Sequence, residues 1–280
     1  MELEELTHID LFEPPTRTTA SGAGNRRGRL CTTGCGRPTA VCLCDHLPSP
    51  PIETSTKIII LQHPHEARHK LSTVPLLSKS LLHSQTLIGR RLRRGLSPFL
   101  DSLHTLAVSN SNIRPNSRRA LFLFPSCESS TAIELEEFVS RSRIDGFDLE
   151  NLVLIVFDGT WKHAKEMLVS SLPFLSNFAV HASLKCDFGV DGGSIYNSEL
   201  ILRREPFGGC VSTMEAVART LRVLEPNGVA IEEQLLRVLR AMVMFQASYL
   251  KPMKPRPKLV NKKMMRKMSD VEELKNENSA

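Results

Sequence analysis

Residues 151–166 read NLVLIVFDGTWKHAKE, and this stretch decides the fold class. It opens with a continuous apolar run over 152–157, whose length and β-branched content predict a strand buried on both faces. Apolar side chains then recur at helical spacing from Trp161 onward. The intervening DGTW motif is either an ordinary turn with a helix cap and a packing tryptophan, or a functional site at the end of the strand.

The rest of the chain repeats this alternation of strand and helix. Apolar strands are predicted over 57–62, 86–88, 119–124, 152–157, 180–184 and 200–204. Helices are predicted over 71–82, 98–106, 131–141, 161–171, 212–225 and 231–249. Because the strands are unbroken apolar runs, the sequence predicts an α/β fold with a largely parallel sheet and flanking helices.

Polar turns follow four of the predicted strands. They read HPHE at 63–66, GRR at 89–91, PS at 125–126 and DGTW at 158–161. In parallel sheets the ligand crevice lies beyond the carboxyl ends of the strands, so the four turns are candidates for one site. Ser212, followed three residues later by Glu215, has the spacing of a helix capping box.

Composition divides the chain into four segments. We predict a disordered leader over 1–28, a cysteine-rich knuckle over 29–51, an α/β domain over 52–250, and a basic, then mixed-charge tail over 251–280. We expect an intracellular protein, because no run reaches the roughly 18 apolar residues of a membrane span. The acidic N-terminus is typical of neither a signal peptide nor a transit peptide.

Four of the seven cysteines lie within fourteen residues: Cys31, Cys35, Cys42 and Cys44. The segment has few aliphatic residues for a core of its own, and four thiolates around one zinc ion would supply the missing folding energy. We therefore predict a structural zinc site. The spacing C-x3-C-x6-C-x-C departs from that of common zinc ribbons, and His46 is an alternative ligand.

The net charge of +6 is unevenly distributed along the chain. Basic residues cluster over 26–29, 90–94, 114–119 and 251–267. Such clusters indicate a polyanionic partner, RNA or DNA, although any single cluster is also compatible with a solvated surface.

Five short motifs, taken in order, resemble the DTW-domain family. They are CGRPTAVCLC at 35–44, HPHE at 63–66, FPS at 124–126, DGTW at 158–161 and STMEA at 212–216. The resemblance covers about residues 29–250 and is nearest to the second, eukaryotic type of the family. Two departures are the three-residue spacing of the first cysteine pair and Ser72-Thr73 where similar proteins often carry Asn-Thr.

Members of this family are tRNA-uridine aminocarboxypropyltransferases related to the SPOUT class. The resemblance therefore implies a fold with a knot-like crossing, S-adenosylmethionine as the donor and tRNA as the acceptor. It implies transfer of the 3-amino-3-carboxypropyl group to N3 of a D-loop uridine, with release of methylthioadenosine.

The resemblance and this chemistry together assign roles to individual residues. Asp158 is the first candidate for the base that takes the N3 proton, and its competing roles are to bind the cofactor or hold the loop. Thr160 either contacts the uracil edge or caps a helix, and Trp161 either stacks on a ring or belongs to the core. The expected S-adenosylmethionine ligands are His63, Glu66, Pro125, Ser126, Ser212, Thr213 and Glu215. The expected tRNA contacts are Arg37, Arg90, Arg91, Arg93 and Arg94.

Two rival functions stay open on the sequence. One is an S-adenosylmethionine-dependent RNA methyltransferase on a similar fold. The other is a zinc-stabilised RNA-binding module without catalysis.

Overall fold

A computed structural model describes residues 29–32, 34–69, 71–109, 119–144, 149–184 and 211–248. The predicted leader over 1–28, the predicted tail over 251–280 and the predicted strand over 200–204 lie outside the described residues. All the predicted site residues lie within them.

The described strands form one six-stranded sheet in the order β2-β1-β5-β3-β6-β4, and each pair is parallel. The prediction of a largely parallel sheet is thus confirmed. The strands are β1 (Lys57–Gln62), β2 (Ser84–Ile88), β3 (Ala120–Leu123), β4 (Ile133–Glu134), β5 (Val153–Asp158) and β6 (Ala179–Ser183). The two-residue strand β4 was not predicted, because its residues stand directly before a helix and carry no run of their own.

The described α-helices are α1 (Val74–Ser80), α2 (Pro98–Ser109), α3 (Leu135–Ile144), α4 (Trp161–Leu175), α5 (Thr213–Leu224) and α6 (Gly228–Ala247). Each predicted helix is present, with ends that differ by a few residues. Helix α4 continues beyond the predicted end at residue 171 and includes Pro173 in its last turn.

The sheet is covered on both faces, and strand alternation decides which side chain enters which layer. On β1 and β5, even-numbered apolar residues pack with α1, α3, α5 and α6, whereas odd-numbered residues pack with α2 and α4. The even set includes Ile58, Ile60, Leu154 and Val156, and the odd set includes Ile59, Leu61, Ile155 and Phe157. This parity continues into the polar residues at the strand ends.

The cysteine-rich segment packs onto the same layer as α6. Leu43 is fully buried and Cys35 is nearly so, and both belong to the core on the even-numbered face. The His46 ring meets the Phe245 ring of α6 edge to face, with centroids 5.5 Å apart. The knuckle is therefore seated on the α/β domain, and His46 serves this packing.

The connection from β6 to α5 runs through residues 185–210, outside the described residues, so the knot-like crossing stays a prediction. Among the described residues, no helix combines the length and apolar character that crossing a bilayer requires.

Candidate active site and metal-ligand cluster

The polar turns meet at one edge of the sheet because their strands are parallel neighbours. Gln62 at the end of β1 is paired with Asp158 of β5 on one side and with Ile88 of β2 on the other. The backbone N–H of His63 donates to the Asp158 carbonyl at 2.8 Å, and that of Gly89 donates to the Gln62 carbonyl at 3.0 Å. The HPHE, GRR and DGTW turns are therefore adjacent.

Asp158 is buried, with 5% of its surface exposed, and its carboxylate is held from two sides. The Gln62 amide donates to one carboxylate oxygen at 3.0 Å, and the Thr213 hydroxyl donates to the other at 2.6 Å. The same Gln62 amide also donates to the Ser72 hydroxyl at 3.0 Å. These four residues, which we call the carboxylate subsite, join β1, β5, the loop before α1 and the start of α5.

His63 points to the opposite face of the sheet from Gln62, because successive side chains alternate between the two faces. Its ring stacks on His163 of α4, with centroids 4.0 Å apart and an interplanar angle of 11°. The His65 ring stands edge-on to His63 at 4.9 Å, and the His65 backbone N–H donates to His63 Nδ1 at 3.3 Å. We call His63, His65 and His163 the histidine subsite.

The three imidazoles lie close enough to be considered as metal ligands, with candidate nitrogens within 4.8 Å of one another. Their stacking argues against it. A ligating imidazole nitrogen directs its in-plane lone pair at the ion. The ring planes of His63 and His163 are nearly parallel and their centroids are 4.0 Å apart. One ion cannot lie in both ring planes, so the two imidazoles cannot both ligate it in this arrangement.

Charge at the histidine subsite is set by its neighbours. Burial lowers the pKa of His63, and His163, His65 and Arg90 lower it further, while Glu66 acts in the opposite direction. His63 is only 3% exposed, whereas His65 is exposed and His163 is half-buried. Burial and the surrounding groups therefore favour the neutral form of His63.

Thr160 caps a helix and Trp161 packs against a neighbouring ring, which are the structural roles considered for them above. The Thr160 hydroxyl accepts from the His163 backbone N–H at 3.3 Å and caps α4. Trp161 is half-buried, and its ring lies 5.7 Å from the Phe124 ring that begins the FPS turn. Trp161 thus retains an exposed portion, and a stacking role for it stays a prediction.

The FPS turn after β3 is braced from behind by His181 of β6. Since the Phe124 carbonyl can only accept, His181 Nε2–H donates to it at 2.8 Å, and Nδ1 accepts from the Ser130 hydroxyl at 2.7 Å. Pro125 and Ser126 are exposed, and the Ser126 hydroxyl accepts from the Ala132 backbone N–H at 2.9 Å.

We expect stability to fall as the pH is lowered through about 6.5, the ordinary pKa of histidine. Burial lowers the pKa of His181, so the unfolded chain takes a proton at a pH where the folded protein does not. His63 contributes in the same direction. Denaturant unfolding of wild type and His181→Gln from about pH 5 to pH 8 checks this, and His181→Gln should be less stable but less pH-dependent.

The exposed His69→Gln variant is the matched control for this measurement. It should keep the pH dependence of wild type. Equal slopes for wild type and His181→Gln would contradict the prediction.

The other predicted cofactor ligands lie near this edge with partners of their own. Ser212 caps α5, its hydroxyl accepting from the Glu215 backbone N–H at 3.3 Å. Glu215 is buried and its carboxylate pairs with Arg219 at 2.7 Å. Glu66 is buried in the short 3-10 helix Glu66–Arg68. Their roles toward a cofactor stay predictions.

The arginine loop after β2 lies on the same face as α4. Leu92 is buried in the odd-numbered core, and its backbone N–H donates to the Ser171 hydroxyl of α4 at 2.8 Å. The anchored leucine leaves four arginines exposed around it: Arg90, Arg91, Arg93 and Arg94. Arg37 of the knuckle is half-buried. The four exposed arginines could contact the phosphate backbone of a nucleic acid.

The four cysteines of the knuckle form a group that could hold a metal ion, with sulfurs within 4.8 Å of one another. Cys31 and Cys44 Sγ are 3.4 Å apart, and Cys35 and Cys42 Sγ are 3.6 Å apart. Four thiolates at 2.3 Å from one zinc would lie about 3.8 Å apart. The donor set and its size therefore fit tetrahedral zinc.

Local hydrogen bonds also suit thiolates at this cluster. The Cys35 backbone N–H donates to Cys44 Sγ at 3.2 Å, and that of Leu43 donates to Cys35 Sγ at 3.4 Å. Hydrogen bonds from Cys44 and then Cys42 lower the pKa of Cys31 to about 7. A Cβ at Gly34 would collide with Cys44 Sγ, so a larger residue at this turn would displace that sulfur.

Sequence reasoning had not singled out three residues of this edge: Gln62, His163 and His181. Gln62 is a polar residue at the end of an apolar strand and directly before HPHE. This position could have identified it as a site residue. His163 shares the first turn of α4 with Trp161, and only the packing of α4 reveals its partner. His181 lies in β6, where nothing in the local sequence distinguishes it.

The described structure is thus an α/β domain with polar strand ends on an all-parallel sheet and a four-cysteine cluster docked beside it. Residues 28–247 match the DTW domain, which covers well over half of the chain. The chain belongs to the DTW-domain family.

Curated relatives agree with this assignment. The chain is 48% identical over 245 residues to tRNA-uridine aminocarboxypropyltransferase A of Arabidopsis thaliana, covering 85% of this chain and 89% of that protein. It is 33% identical over 217 residues to tRNA-uridine aminocarboxypropyltransferase 2 of Macaca fascicularis, covering 77% and 63%. It is 30% identical over 281 residues to the Mus musculus protein of the same name, covering 91% and 85%. No solved structure matches.

Proposed function

We propose that this chain is a tRNA-uridine aminocarboxypropyltransferase that uses S-adenosylmethionine as its donor. The observation that carries the proposal is the buried Asp158 carboxylate at the junction of three parallel strand ends, held by Gln62 and Thr213. Family membership and the relatives' names support the same activity. The finer assignment, to N3 of a D-loop uridine, rests on the resemblance of the motifs.

The reaction forms a bond from uridine N3 to the terminal CH₂ of the aminocarboxypropyl arm. The bond from that carbon to sulfur breaks, and sulfur keeps the electron pair as methylthioadenosine leaves. The N3 proton must pass to a base. The three carbons on the sulfonium share one leaving group, so the outcome depends on how the donor is oriented.

The carboxylate subsite suits the cationic end of the donor. A carboxylate offers about four acceptor positions, and Gln62 and Thr213 take two of those on Asp158. In this proposal the Asp158 carboxylate also accepts from the ammonium of the arm or from uridine N3–H. We assign Asp158 the base role and keep cofactor binding as its alternative, and Trp161 offers the half-exposed ring on which uracil or adenine stacks.

The cysteine cluster holds a structural zinc in this proposal. Its support is the all-sulfur donor set, the spacing of the four sulfurs and the N–H bonds they accept. Leu43 and Cys35 belong to the core layer that contains α5 and α6, so the zinc would also stabilise that layer.

Product analysis tests the proposed function. Purified protein, unmodified tRNA and S-adenosylmethionine should yield aminocarboxypropyl-uridine and methylthioadenosine by mass spectrometry. S-adenosylhomocysteine with a methylated nucleoside would identify the methyltransferase instead. Binding of tRNA without either product, and without binding of S-adenosylmethionine by calorimetry, would identify the non-catalytic RNA-binding module.

A further inference from the structure

The edge of the sheet carries two subsites of opposite character, and strand alternation separates them. Gln62 and Asp158 have even numbers and face α5, where Thr213 completes an acceptor site. His63 has an odd number and faces α4, where it stacks on His163. One reaction site thus has a carboxylate on one face of the sheet and imidazoles on the other.

Titratable and charged groups from three elements act on the histidine subsite. The loop after β1 contributes His65 and Glu66, the loop after β2 contributes Arg90, and α4 contributes His163. Among the described groups that act on the His63 charge, Arg90 is the cation and Glu66 is the anion, and the effect of Arg90 is the larger. The arginine loop is also anchored to α4, where the Leu92 N–H donates to the Ser171 hydroxyl, and its four arginines are exposed.

Hydrogen-bonding capacity at the subsite is incompletely used. His163 Nδ1 is buried and has no hydrogen-bond partner among the described residues. His63 Nδ1 already accepts from the His65 N–H, so a neutral His63 carries its proton on Nε2. A stack of two imidazoles accommodates one added proton more easily than two, because the second would face a like charge at 4.0 Å.

We propose that the histidine subsite, together with Arg90, binds a phosphate of the tRNA backbone and takes up a proton when it does. This inference rests on the proposed function and names the part of the tRNA that this face receives. A bound phosphate supplies an anion that stabilises a protonated imidazole at this subsite. The phosphate then lies across the sheet edge from Asp158 and fixes the position of the target nucleotide without reading its sequence.

The proposal predicts proton-linked binding of tRNA. The dissociation constant of an unmodified tRNA transcript should be smaller at about pH 6 than at about pH 8, at constant ionic strength, because the phosphate complex holds the extra proton. His163→Gln should weaken binding at the lower pH by about tenfold and remove most of the pH difference. His65→Gln, which alters an exposed side chain, should act in the same direction.

Three controls make the result decisive. His69→Gln replaces an exposed histidine outside the subsite and should behave as wild type. Thermal unfolding of each variant identifies loss of fold, and His65→Gln carries the test if His163→Gln does not fold. Calorimetry with S-adenosylmethionine alone should give the same affinity for the variants and for wild type.

Two outcomes would overturn the proposal. In the first, both variants bind tRNA with the wild-type affinity and pH dependence, which makes the stack purely structural. In the second, they bind tRNA normally but bind S-adenosylmethionine more weakly, which assigns the anion to the carboxylate of the donor. Both outcomes are independent of whether wild type forms aminocarboxypropyl-uridine, so failure of the proposed function is recognised separately.

Discussion

Asp158→Asn should lower the rate of aminocarboxypropyl transfer by about 10²- to 10⁴-fold, the contribution typical of a positioned base. The substitution keeps the size and shape of the side chain and removes its charge. The Asn oxygen can accept from Gln62, and the Thr213 hydroxyl can turn to accept from the Asn amide, so the network persists. The loss is therefore expected in the chemical step.

Single-turnover kinetics with saturating tRNA measure this effect. Three readouts separate the three roles of Asp158. A base gives a low rate with normal affinity for S-adenosylmethionine, and the variant loses the pH dependence that this base imposes. A cofactor ligand gives weaker binding of S-adenosylmethionine by calorimetry. A loop anchor gives a lower unfolding temperature.

Asp101→Asn is the matched control. Asp101 accepts from the Gly95 backbone N–H at 2.9 Å in the arginine loop and lies outside the carboxylate subsite. It should keep the transfer rate near that of wild type. Wild-type turnover by Asp158→Asn would remove Asp158 from the chemistry altogether.

Cys44→Ser should abolish zinc binding and unfold the protein at a much lower temperature. Cys44 Sγ contacts Cys31 Sγ and accepts the Cys35 N–H, so it is central to the cluster. Loss of a structural metal belongs to the mechanisms that cost more than about 4 kcal/mol. For a domain of this size that corresponds to roughly 8–16 °C in unfolding temperature.

Metal content by plasma mass spectrometry and thermal unfolding measure the two effects. Strong chelation of wild type should lower the unfolding temperature to about that of Cys44→Ser. Gly34→Ala keeps all four thiols, but its Cβ would collide with Cys44 Sγ, and it should also lose zinc.

Cys127→Ser is the control for the zinc measurements, because this cysteine lies after β3 and outside the cluster. It should retain one zinc per chain. Zinc-free wild-type protein with full stability would contradict the metal assignment.

Local sequence was sufficient where a residue's environment follows from its immediate neighbours. The length and β-branched content of the apolar run at 152–157 predicted a buried strand, and β5 is present within one residue. Ser212 and Thr160 were proposed as helix caps, and both hydroxyls accept from first-turn N–H groups. The two-residue strand β4 lacked any such signal, because it owes its pairing to β6.

The division of the site into two subsites was not predictable from the motifs. HPHE and DGTW were expected to converge, and they do. Their side chains, however, are sorted by strand parity, so that Gln62 and Asp158 meet Thr213 while His63 meets His163. That sorting depends on the register of β1 against β5 and on which helix covers each face of the sheet. Neither can be predicted from a single motif.

The sequence by itself determined the α/β class, the meeting of polar strand ends and the cysteine cluster, because periodicity and spacing act over a few residues. Only the tertiary structure decided the partners of Asp158, the stacking of His63 on His163 and the bracing of the FPS turn by His181. These contacts join residues 55 to 100 positions apart in the chain, and they exist because the sheet and its two helical layers bring them together.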